Sequence, residues 1–181
     1  MGHLTVILGC MFAQKTTELL RYIRRSRSIG YNVLVLNSKK DTRYGNECIA
    51  SHDEKQEQAM MVESLCEADS LVRSNEYQVV VIDEGQFFHD LFDSVTAWAD
   101  ECPIHVVVAG LDGTFQREPF GDILRLIPHA EEVLRLSALC AECKDGTKAI
   151  YSKRVELVSD TIHVGSSESY RPVCRKHYLL I

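Results

Sequence analysis

The stretch from Leu4 to Thr17, LTVILGCMFAQKTT, constrains the fold of this chain more than any other. It opens with a short run of aliphatic and β-branched residues that ends at Gly9, which predicts a buried strand. Residues that favour a helix follow from Thr16 onward. The residues between them therefore form a loop that aims backbone N–H groups and a helix N-terminus at one place, and this arrangement favours an anion.

The loop matches the phosphate-binding pattern G-x-x-x-x-G-K-[ST] with one departure, because Gln14 occupies the position of the second glycine. A non-glycine residue held at positive φ costs roughly 1–2 kcal/mol. We predict that Lys15 binds the β- and γ-phosphates and that the Thr16 hydroxyl holds Mg²⁺. A strand–turn–helix without a ligand is the alternative interpretation. The predicted phosphate-binding residues are Gly9, Cys10, Met11, Phe12, Ala13, Gln14, Lys15, Thr16 and Thr17.

Length and composition limit the class of protein. The 181 residues suffice for one sizeable core and a small appendage. A net charge of -6 argues against nucleic acid as a partner. No apolar run is long enough to span a bilayer, and no signal-peptide pattern precedes the first strand, so we expect no membrane association and a cytoplasmic location. The seven cysteines fit a reducing compartment, since their number is odd.

Hydrophobic strands alternate with helices along the rest of the chain, which predicts an α/β fold with a mostly parallel sheet covered on both faces. Further strands are predicted at Asn32 to Asn37, Gln78 to Ile82, Ile104 to Ala109 and, as a final core strand, Val133 to Leu136. Helices are predicted at Thr17 to Ile29, Glu67 to Ser74, Phe88 to Asp100 and Phe120 to Ile127. The polar stretch from Ser38 to Ser64 is left as loop.

Two carboxylates follow the most apolar strand, in the sequence VVVI-Asp83-Glu84. In nucleoside-triphosphate enzymes an acid at this place helps to hold the Mg²⁺ shell. Ligands in such sheets bind where the carboxyl ends of the strands meet, so this segment and the phosphate loop should lie together. We predict that Asp83 serves the metal and that Glu84 is the general base for an acceptor hydroxyl.

Two pairs with metal-ligand spacing stand near the C-terminus, Cys140-x2-Cys143 and Cys174-x2-His177. Three thiolates and an imidazole suit tetrahedral Zn²⁺, and four protein ligands leave no open position, so we predict a structural zinc. Near Ser137 the strongly apolar runs end, and the sequence that follows is polar and rich in turn residues. We therefore predict a nucleotide-binding domain over residues 1–136 and a zinc-stapled subdomain over residues 137–181.

The segment between the two ligand pairs, Val155 to Pro172, is rich in turn residues and carries one aromatic residue, Tyr170. A loop anchored at both ends by one metal is suited to be a lid. We predict that Tyr170 closes over a flat ligand. A surface tyrosine on a flexible loop is the alternative.

Taken together, these motifs resemble the type II thymidine kinases, the cellular and poxvirus type, over about Leu4 to Tyr178. The motifs that carry the resemblance are G-x-M-F-A-x-K-T-T-E-L, D-T-R-Y, D-E-G-Q-F-F, L-D-G-T-F-Q-R, C-x-x-C, Y-S-K-R and S-Y-R-P-V-C-R-x-H. The resemblance implies a RecA-like phosphate-loop sheet with a small zinc-binding lasso. It also implies transfer of the γ-phosphoryl group of ATP to the 5′-hydroxyl of thymidine with Mg²⁺, a homotetramer in the cytosol, and feedback inhibition by thymidine triphosphate.

The resemblance also implies roles for individual residues. Asp41 and Arg43 would lie near the site of phosphoryl transfer, beside Thr16 and Asp83, and Glu84 would be the base. The thymidine-binding residues would be Met11, Phe87, Leu111, Phe115, Phe120, Ser152, Thr161, His163, Val164, Gly165 and Tyr170, with Tyr170 stacked on the base. Zinc would be held by Cys140, Cys143, Cys174 and His177.

The chain departs from the family pattern at three places. Gln14 replaces the loop glycine, Cys10 stands where proline or another small residue is usual, and Thr161, His163 and Ser166 replace Val, Val and Gly in the lid. The leading hypothesis is an active thymidine kinase. A catalytically impaired, nucleoside-binding chain with a structural or regulatory role is the alternative that Gln14 raises. A nucleic-acid-binding zinc module on an ATPase is a third, which the acidic balance disfavours.

Overall fold

A computed structural model describes residues 2–41, 48–50, 56–155 and 169–180. The strands are β1 (His3–Leu8), β2 (Val33–Ser38), β3 (Cys48–Ala50), β4 (Gln56–Gln58), β5 (Met60–Val62), β6 (Val79–Ile82), β7 (His105–Gly110), β8 (Glu132–Arg135), β9 (Ala138–Leu139), β10 (Lys148–Ala149), β11 (Tyr151–Arg154) and β12 (Tyr170–Val173). The α-helices are α1 (Lys15–Arg27), α2 (Asp69–Val72), α3 (Leu91–Glu101) and α4 (Arg175–Leu179). Short 3-10 helices cover Leu65–Ala68, Gly85–Phe87 and Ile123–His129.

Six strands form one sheet in the order β5-β2-β6-β7-β1-β8, and each neighbouring pair is parallel. All four residues of β6 are buried, and five of the six residues of β1 and β7 are buried as well. Continuous apolar strands of this kind are typical of a parallel sheet that is covered on both sides. The predicted fold class is therefore confirmed.

Each face of the sheet carries its own helical layer. Alternate residues of β6, such as Val80 and Ile82, share one apolar cluster with Leu91 and Trp98 of α3. The residues between them share a second cluster with α1, which contributes Leu19, Leu20, Tyr22 and Ile23. Because successive side chains of a strand point to opposite faces, one apolar run supplies both clusters.

Several predicted elements differ in detail from the structure. The strand predicted from Val133 to Leu136 exists, but it is the edge strand β8, and Val133 is 40% exposed, so its assignment to the core is wrong. The stretch left as loop contains β5 at the opposite edge of the sheet and the antiparallel pair β3–β4. The helix predicted from Phe120 to Ile127 is a 3-10 helix that extends to His129 and contains Pro128.

After β8 the chain forms small antiparallel pairs, β9 with β10 and β11 with β12, followed by α4. Their apolar side chains form a third cluster, which includes Ala149 and Val173. Cys10 and Ala13 of the loop after β1 belong to this same cluster. The C-terminal segment therefore packs directly on the predicted phosphate loop. Among the described residues, no helix is long and apolar enough to cross a membrane.

Candidate active site

The predicted phosphate loop lies at the carboxyl edge of the sheet, between the end of β1 and the start of α1. The first glycine of the loop is required by close packing, because a Cβ at Gly9 would lie 2.6 Å from the carbonyl oxygen of Leu136. The helix begins at Lys15, two residues earlier than predicted. Its N-terminus therefore opens directly onto the loop, as an anion site requires.

Gln14 adopts the left-handed conformation, with φ 62° and ψ 32°, although it has a side chain. Phe12, two residues earlier, has φ 65°. The loop thus keeps the backbone shape that a glycine would favour, at a cost of roughly 1–2 kcal/mol for such a residue. The side chain of Gln14 is exposed. Its backbone carbonyl oxygen accepts the backbone N–H of Glu18 in the first turn of α1.

Lys15 is buried, with 9% of its surface exposed, and its Nζ donates to the carbonyl oxygen of Cys10 at 2.9 Å. The ammonium group therefore lies over its own loop. An ammonium has three donor hydrogens, so this position can serve both the loop and an anion within it.

The predicted Mg²⁺ residues from the two signatures meet. The hydroxyl of Thr16 donates to Oδ2 of Asp83 at 2.9 Å, and Asp83 is 3% exposed at the end of β6. The other carboxylate oxygen, Oδ1, accepts the backbone N–H of Glu84 at 2.9 Å. Hydroxyl and carboxylate oxygens are suitable Mg²⁺ ligands, so this pair fits the ion that the sequence predicts.

A second buried acid, Asp41, follows β2, the strand beside β6. The side-chain amide of Asn37 donates to Oδ2 of Asp41 at 3.3 Å, and Asn37 itself is 1% exposed. The sequence analysis gave Asn37 no role, since an Asn at the end of a strand is a common residue. Arg43 lies outside the described residues.

Glu84, the predicted base, is also held in the left-handed conformation, with φ 52°. It is 7% exposed and follows Asp83 directly at the carboxyl end of β6. Its Oε2 accepts a hydrogen bond of 2.5 Å from the side-chain amide of Gln86. Non-glycine residues in this region of φ cluster at functional sites, and Phe12, Gln14 and Glu84 all lie in the two segments that meet here.

The sequence analysis gave Gln86 no role, although it stands within the quoted motif D-E-G-Q-F-F. It is 4% exposed, and its Oε1 accepts the backbone N–H of Leu111 at 2.9 Å. The signal that could have found it is the placement of an amide side chain two residues after a candidate base.

Several of the predicted thymidine-binding residues that the structure describes pack against other residues of the proposed site. Phe87 and Phe120 pack edge to face, with ring centroids 5.7 Å apart. The guanidinium of Arg154 lies 4.6 Å from the ring of Phe115 and 5.7 Å from that of Tyr170, which is 7% exposed.

A further contact joins the phosphate loop to β11, because the backbone N–H of Met11 donates to Oγ of Ser152 at 3.0 Å. The buried thiol of Cys10 lies 3.4 Å from the carbonyl oxygen of Ala149, and burial raises its pKa. Cys10 therefore packs the loop against the C-terminal segment. The predicted lid residues Thr161, His163, Val164 and Gly165 lie outside the described residues.

The four predicted zinc ligands come together, with their ligand atoms within 4.8 Å of one another. Cys143 Sγ lies 3.8 Å from Cys174 Sγ, and His177 Nδ1 lies 3.3, 3.4 and 3.6 Å from the sulfur atoms of Cys143, Cys174 and Cys140. Zinc–sulfur bonds of about 2.3 Å and zinc–nitrogen bonds of about 2.0–2.1 Å in a tetrahedron need separations close to these. The donor set and its spacing therefore fit zinc.

The thiols of Cys140 and Cys143 differ in how readily they ionise. Burial opposes ionisation of Cys140, but backbone N–H donors, those of Cys174 and Cys143 foremost, lower its pKa to about 6. Burial and hydrogen bonding to the sulfur atoms of Cys140 and Cys174 raise the pKa of Cys143 to about 11. One thiol is thus prepared as a thiolate, and binding of a divalent cation favours ionisation of the others.

A parallel sheet with a phosphate-type loop and an acidic strand end at one edge places the chain among the phosphate-loop α/β proteins. The family model described as thymidine kinase matches residues 2–178. The chain belongs to the thymidine kinase family, and the resemblance seen in its motifs is confirmed.

Poxvirus proteins are among its relatives. The thymidine kinase of Monkeypox virus is 40% identical over 178 residues, which cover 98% of this chain and 97% of that protein. The thymidine kinases of Vaccinia virus (strain Western Reserve) and Variola virus show the same identity and coverage. The similarity therefore extends over both the sheet and the C-terminal segment.

Proposed function

We propose that this chain is a thymidine kinase that transfers the γ-phosphoryl group of ATP to the 5′-hydroxyl of thymidine. The observation that carries the proposal is the contact of 2.9 Å between Thr16 and Asp83, with Glu84 next to it at the same edge of the sheet. Membership of the family and the 40% identity to poxvirus thymidine kinases support the choice of nucleoside.

The phosphate donor would bind on the loop between β1 and α1. Backbone N–H groups of the loop and the N-terminus of α1 attract the phosphates, and the ammonium group of Lys15 adds a positive charge over the loop. Thr16 and Asp83 would hold Mg²⁺, which when bound neutralises charge on the phosphates. Asp41, buried at the end of the neighbouring strand, and Arg43 would complete this side of the site.

Glu84 would act as the general base. A hydroxyl is a weak nucleophile, so a carboxylate that accepts its proton raises its reactivity. The 5′-oxygen of thymidine then forms a bond to the γ-phosphorus, the bond from that phosphorus to the bridging oxygen of ADP breaks, and the proton stays on Glu84. Burial of Glu84 keeps the carboxylate in one place for this transfer.

The nucleoside would bind between the sheet edge and the C-terminal segment. Phe87, Leu111, Phe115, Phe120 and Met11 would line the thymine pocket, and Tyr170 would stack on the base. Ser152 and the backbone of residues 161–165 would supply hydrogen bonds. The contact of Met11 with Ser152 supports this placement, because it brings the phosphate loop and β11 to one site.

The C-terminal segment would be stapled by structural Zn²⁺ on Cys140, Cys143, Cys174 and His177. Four protein ligands give a closed site, so the metal contributes folding free energy and no chemistry at the substrate. A division of the chain near Ser137 into a nucleotide-binding domain and this subdomain belongs to the same proposal. The motifs also support a homotetramer, a cytosolic location and feedback inhibition by thymidine triphosphate as further proposals.

An impaired kinase that binds nucleoside without turnover is the second candidate. The observation behind it is Gln14, which places a side chain where the phosphate-loop pattern has its second glycine. The left-handed backbone of Gln14 preserves the shape of the loop, and this favours the active enzyme.

The deciding experiment is phosphorylation of thymidine by the purified chain with Mg²⁺-ATP, in parallel with Gln14→Gly and Glu84→Gln. We expect turnover by the parent chain and a loss of about 10²–10⁴-fold in Glu84→Gln with thymidine binding retained. Glu76→Gln, which alters an exposed acid away from the site, is the matched control. Turnover only in Gln14→Gly would establish the impaired alternative, and full turnover in Glu84→Gln would remove Glu84 as the base.

A further inference from the structure

Gln86 occupies a central place between two parts of the proposed site. It lies in the 3-10 helix Gly85–Phe87, directly after the segment that carries Glu84, and only 4% of it is exposed. One end of its side-chain amide donates to Oε2 of Glu84, and the other end accepts the backbone N–H of Leu111. A single buried side chain thus joins the proposed base to the loop that follows β7.

Two glycines confine Gln86. A Cβ at Gly110 would lie 2.4 Å from Oε1 of Gln86, and a Cβ at Gly121 would lie 2.5 Å from its backbone carbonyl oxygen. Gly121 has φ 59°, a conformation that other residues rarely adopt. The loop from Gly110 to Gly121 therefore begins and ends with close contacts to Gln86, which hold this residue from both ends of the loop.

The chemistry of the partners fixes the direction of the amide. The N–H of Leu111 can only donate, so it must face the amide oxygen of Gln86, and the amide nitrogen must then face Glu84. The hydrogen bond to Glu84 therefore runs from an N–H donor to a carboxylate oxygen, an arrangement that is stronger than one between neutral groups.

We propose that Gln86 is a positioning residue that orients the Glu84 carboxylate and couples it to the nucleoside pocket through Leu111. This inference rests on the proposed function, in which Glu84 is the base and Leu111 lines the pocket. A shift of the Leu111 backbone as the nucleoside binds is transmitted through one rigid amide to the carboxylate. The base then takes its working orientation when the acceptor is in place.

The test compares Gln86→Glu with Gln86→Met. Gln86→Glu keeps the shape and the oxygen that accepts the Leu111 N–H, but it sets a second carboxylate against Glu84. We expect kcat to fall about 100-fold, the loss that a small misplacement of a catalytic group produces, while the Kd for thymidine, measured by calorimetry, changes less than about threefold. Gln86→Met removes both hydrogen bonds, so kcat should fall by a similar factor and the Kd for thymidine should also rise.

Gln78→Met is the matched control. Gln78 precedes the same strand, β6, at its other end, and its Oε1 likewise accepts a backbone N–H, that of Asn32 at 3.0 Å. This variant should keep kcat and Kd within about twofold. Thermal melting of each variant separates a folding defect from a defect in the site, and a fall in kcat at constant Kd is not the result of a general loss of structure.

The outcomes separate this inference from the proposed function. If Glu84→Gln abolishes turnover and Gln86→Glu retains full kcat, Gln86 has no positioning role, and the base stands. If Gln86→Glu lowers thymidine affinity and kcat by the same factor, Gln86 serves the pocket alone. If Glu84→Gln keeps full turnover, the base is wrong and the role of Gln86 falls with it.

Discussion

The phosphate-loop edge of the sheet and the C-terminal segment, which carries the Cys3His cluster, are built by different means. At the sheet edge, Lys15, Thr16, Asp83 and Glu84 stand at the ends of buried parallel strands and at a helix N-terminus. In the C-terminal segment, strands of two to four residues surround a small apolar cluster, and four ligand side chains converge on one point. The first region gains its stability from apolar burial, whereas the second has a small apolar cluster and, by our proposal, a structural zinc.

The two regions meet at several places, and the phosphate loop is one of them. Met11 donates to Ser152, and the thiol of Cys10 packs on Ala149. The position of the phosphate loop therefore depends both on the apolar core of the sheet and on the fold of the C-terminal segment. Changes in the core, in the metal cluster and at the contact should therefore have separable effects.

Cys143→Ser should have the largest effect, because it removes one of the four proposed zinc ligands. Structural zinc contributes on the order of 10–16 kcal/mol in small peptides, so we expect the C-terminal segment to lose its fold and thymidine turnover to fall more than about 100-fold. Metal analysis measures the zinc content, and limited proteolysis detects unfolding as cleavage after residue 136. Far-UV circular dichroism should show that the sheet persists. Cys66→Ser, at an exposed cysteine, should leave zinc content unchanged. A fully folded C-terminal segment in zinc-free Cys143→Ser would contradict the comparison.

Ile7→Ala should destabilise the sheet without releasing the metal. Ile7 is 0% exposed in β1, and truncation of such a residue costs about 2–5 kcal/mol. Urea unfolding should show the loss, with zinc content kept at one per chain. The control is Ile29→Ala at a residue that is 66% exposed, which should change stability by less than about 0.5 kcal/mol.

Ser152→Ala should weaken the contact between the regions. It leaves the Met11 N–H without its acceptor at 3.0 Å, at a cost of about 1–3 kcal/mol. We expect weaker binding of ATP, measured by calorimetry, together with intact zinc content. Ser28→Ala removes a comparable bond, to the carbonyl oxygen of Arg25, far from the contact and should not alter ATP binding. Unchanged ATP affinity in Ser152→Ala would show that the regions act independently.

Gln14→Gly should have the smallest effect. It relieves a left-handed side chain, worth roughly 1–2 kcal/mol, but it adds backbone entropy to the unfolded chain, worth roughly 0.5–1 kcal/mol. A net gain of about 0.5–1 kcal/mol should appear as a higher Tm, with turnover equal or increased. Lys144→Gly, at φ 55° in the C-terminal segment, should give a similar gain in stability without any change in turnover. Loss of stability in Gln14→Gly would mean that the glutamine side chain is itself stabilising.

The sequence predicted those parts of the fold that follow from local pattern. The apolar runs that became β1, β6 and β7 are continuous, so their strands and their parallel arrangement were predictable. The edges were not. Met60–Val62 is short and lies within a polar stretch, and Val133 and Leu134 are a single apolar pair between charged residues. The position of either strand in the sheet therefore depends on contacts that no local pattern contains.

The site divides in the same way. The contact of Thr16 with Asp83 was predictable because strand ends in parallel sheets share one edge, and the spacing of the three cysteines and His177 indicated that they would cluster. Gln86 and Asn37 were not predicted, since an amide gains a role only from what it contacts in the fold. The general-base role of Glu84, the lid residues 161–165 and Arg43 stay predictions, as does the domain division near Ser137.

The sheet order has a consequence for synthesis and folding. β1 pairs on one side with β7, where His3 faces His105, and on the other side with β8, where Leu8 faces Arg135. Such distant pairing slows folding, because long loops must close before the contacts form. On the ribosome, the residues of the phosphate loop emerge far ahead of Leu136, against whose carbonyl oxygen Gly9 packs. An apolar strand is thus exposed through much of translation, and Leu136, the packing partner of Gly9, is reached only when about three quarters of the chain has been made.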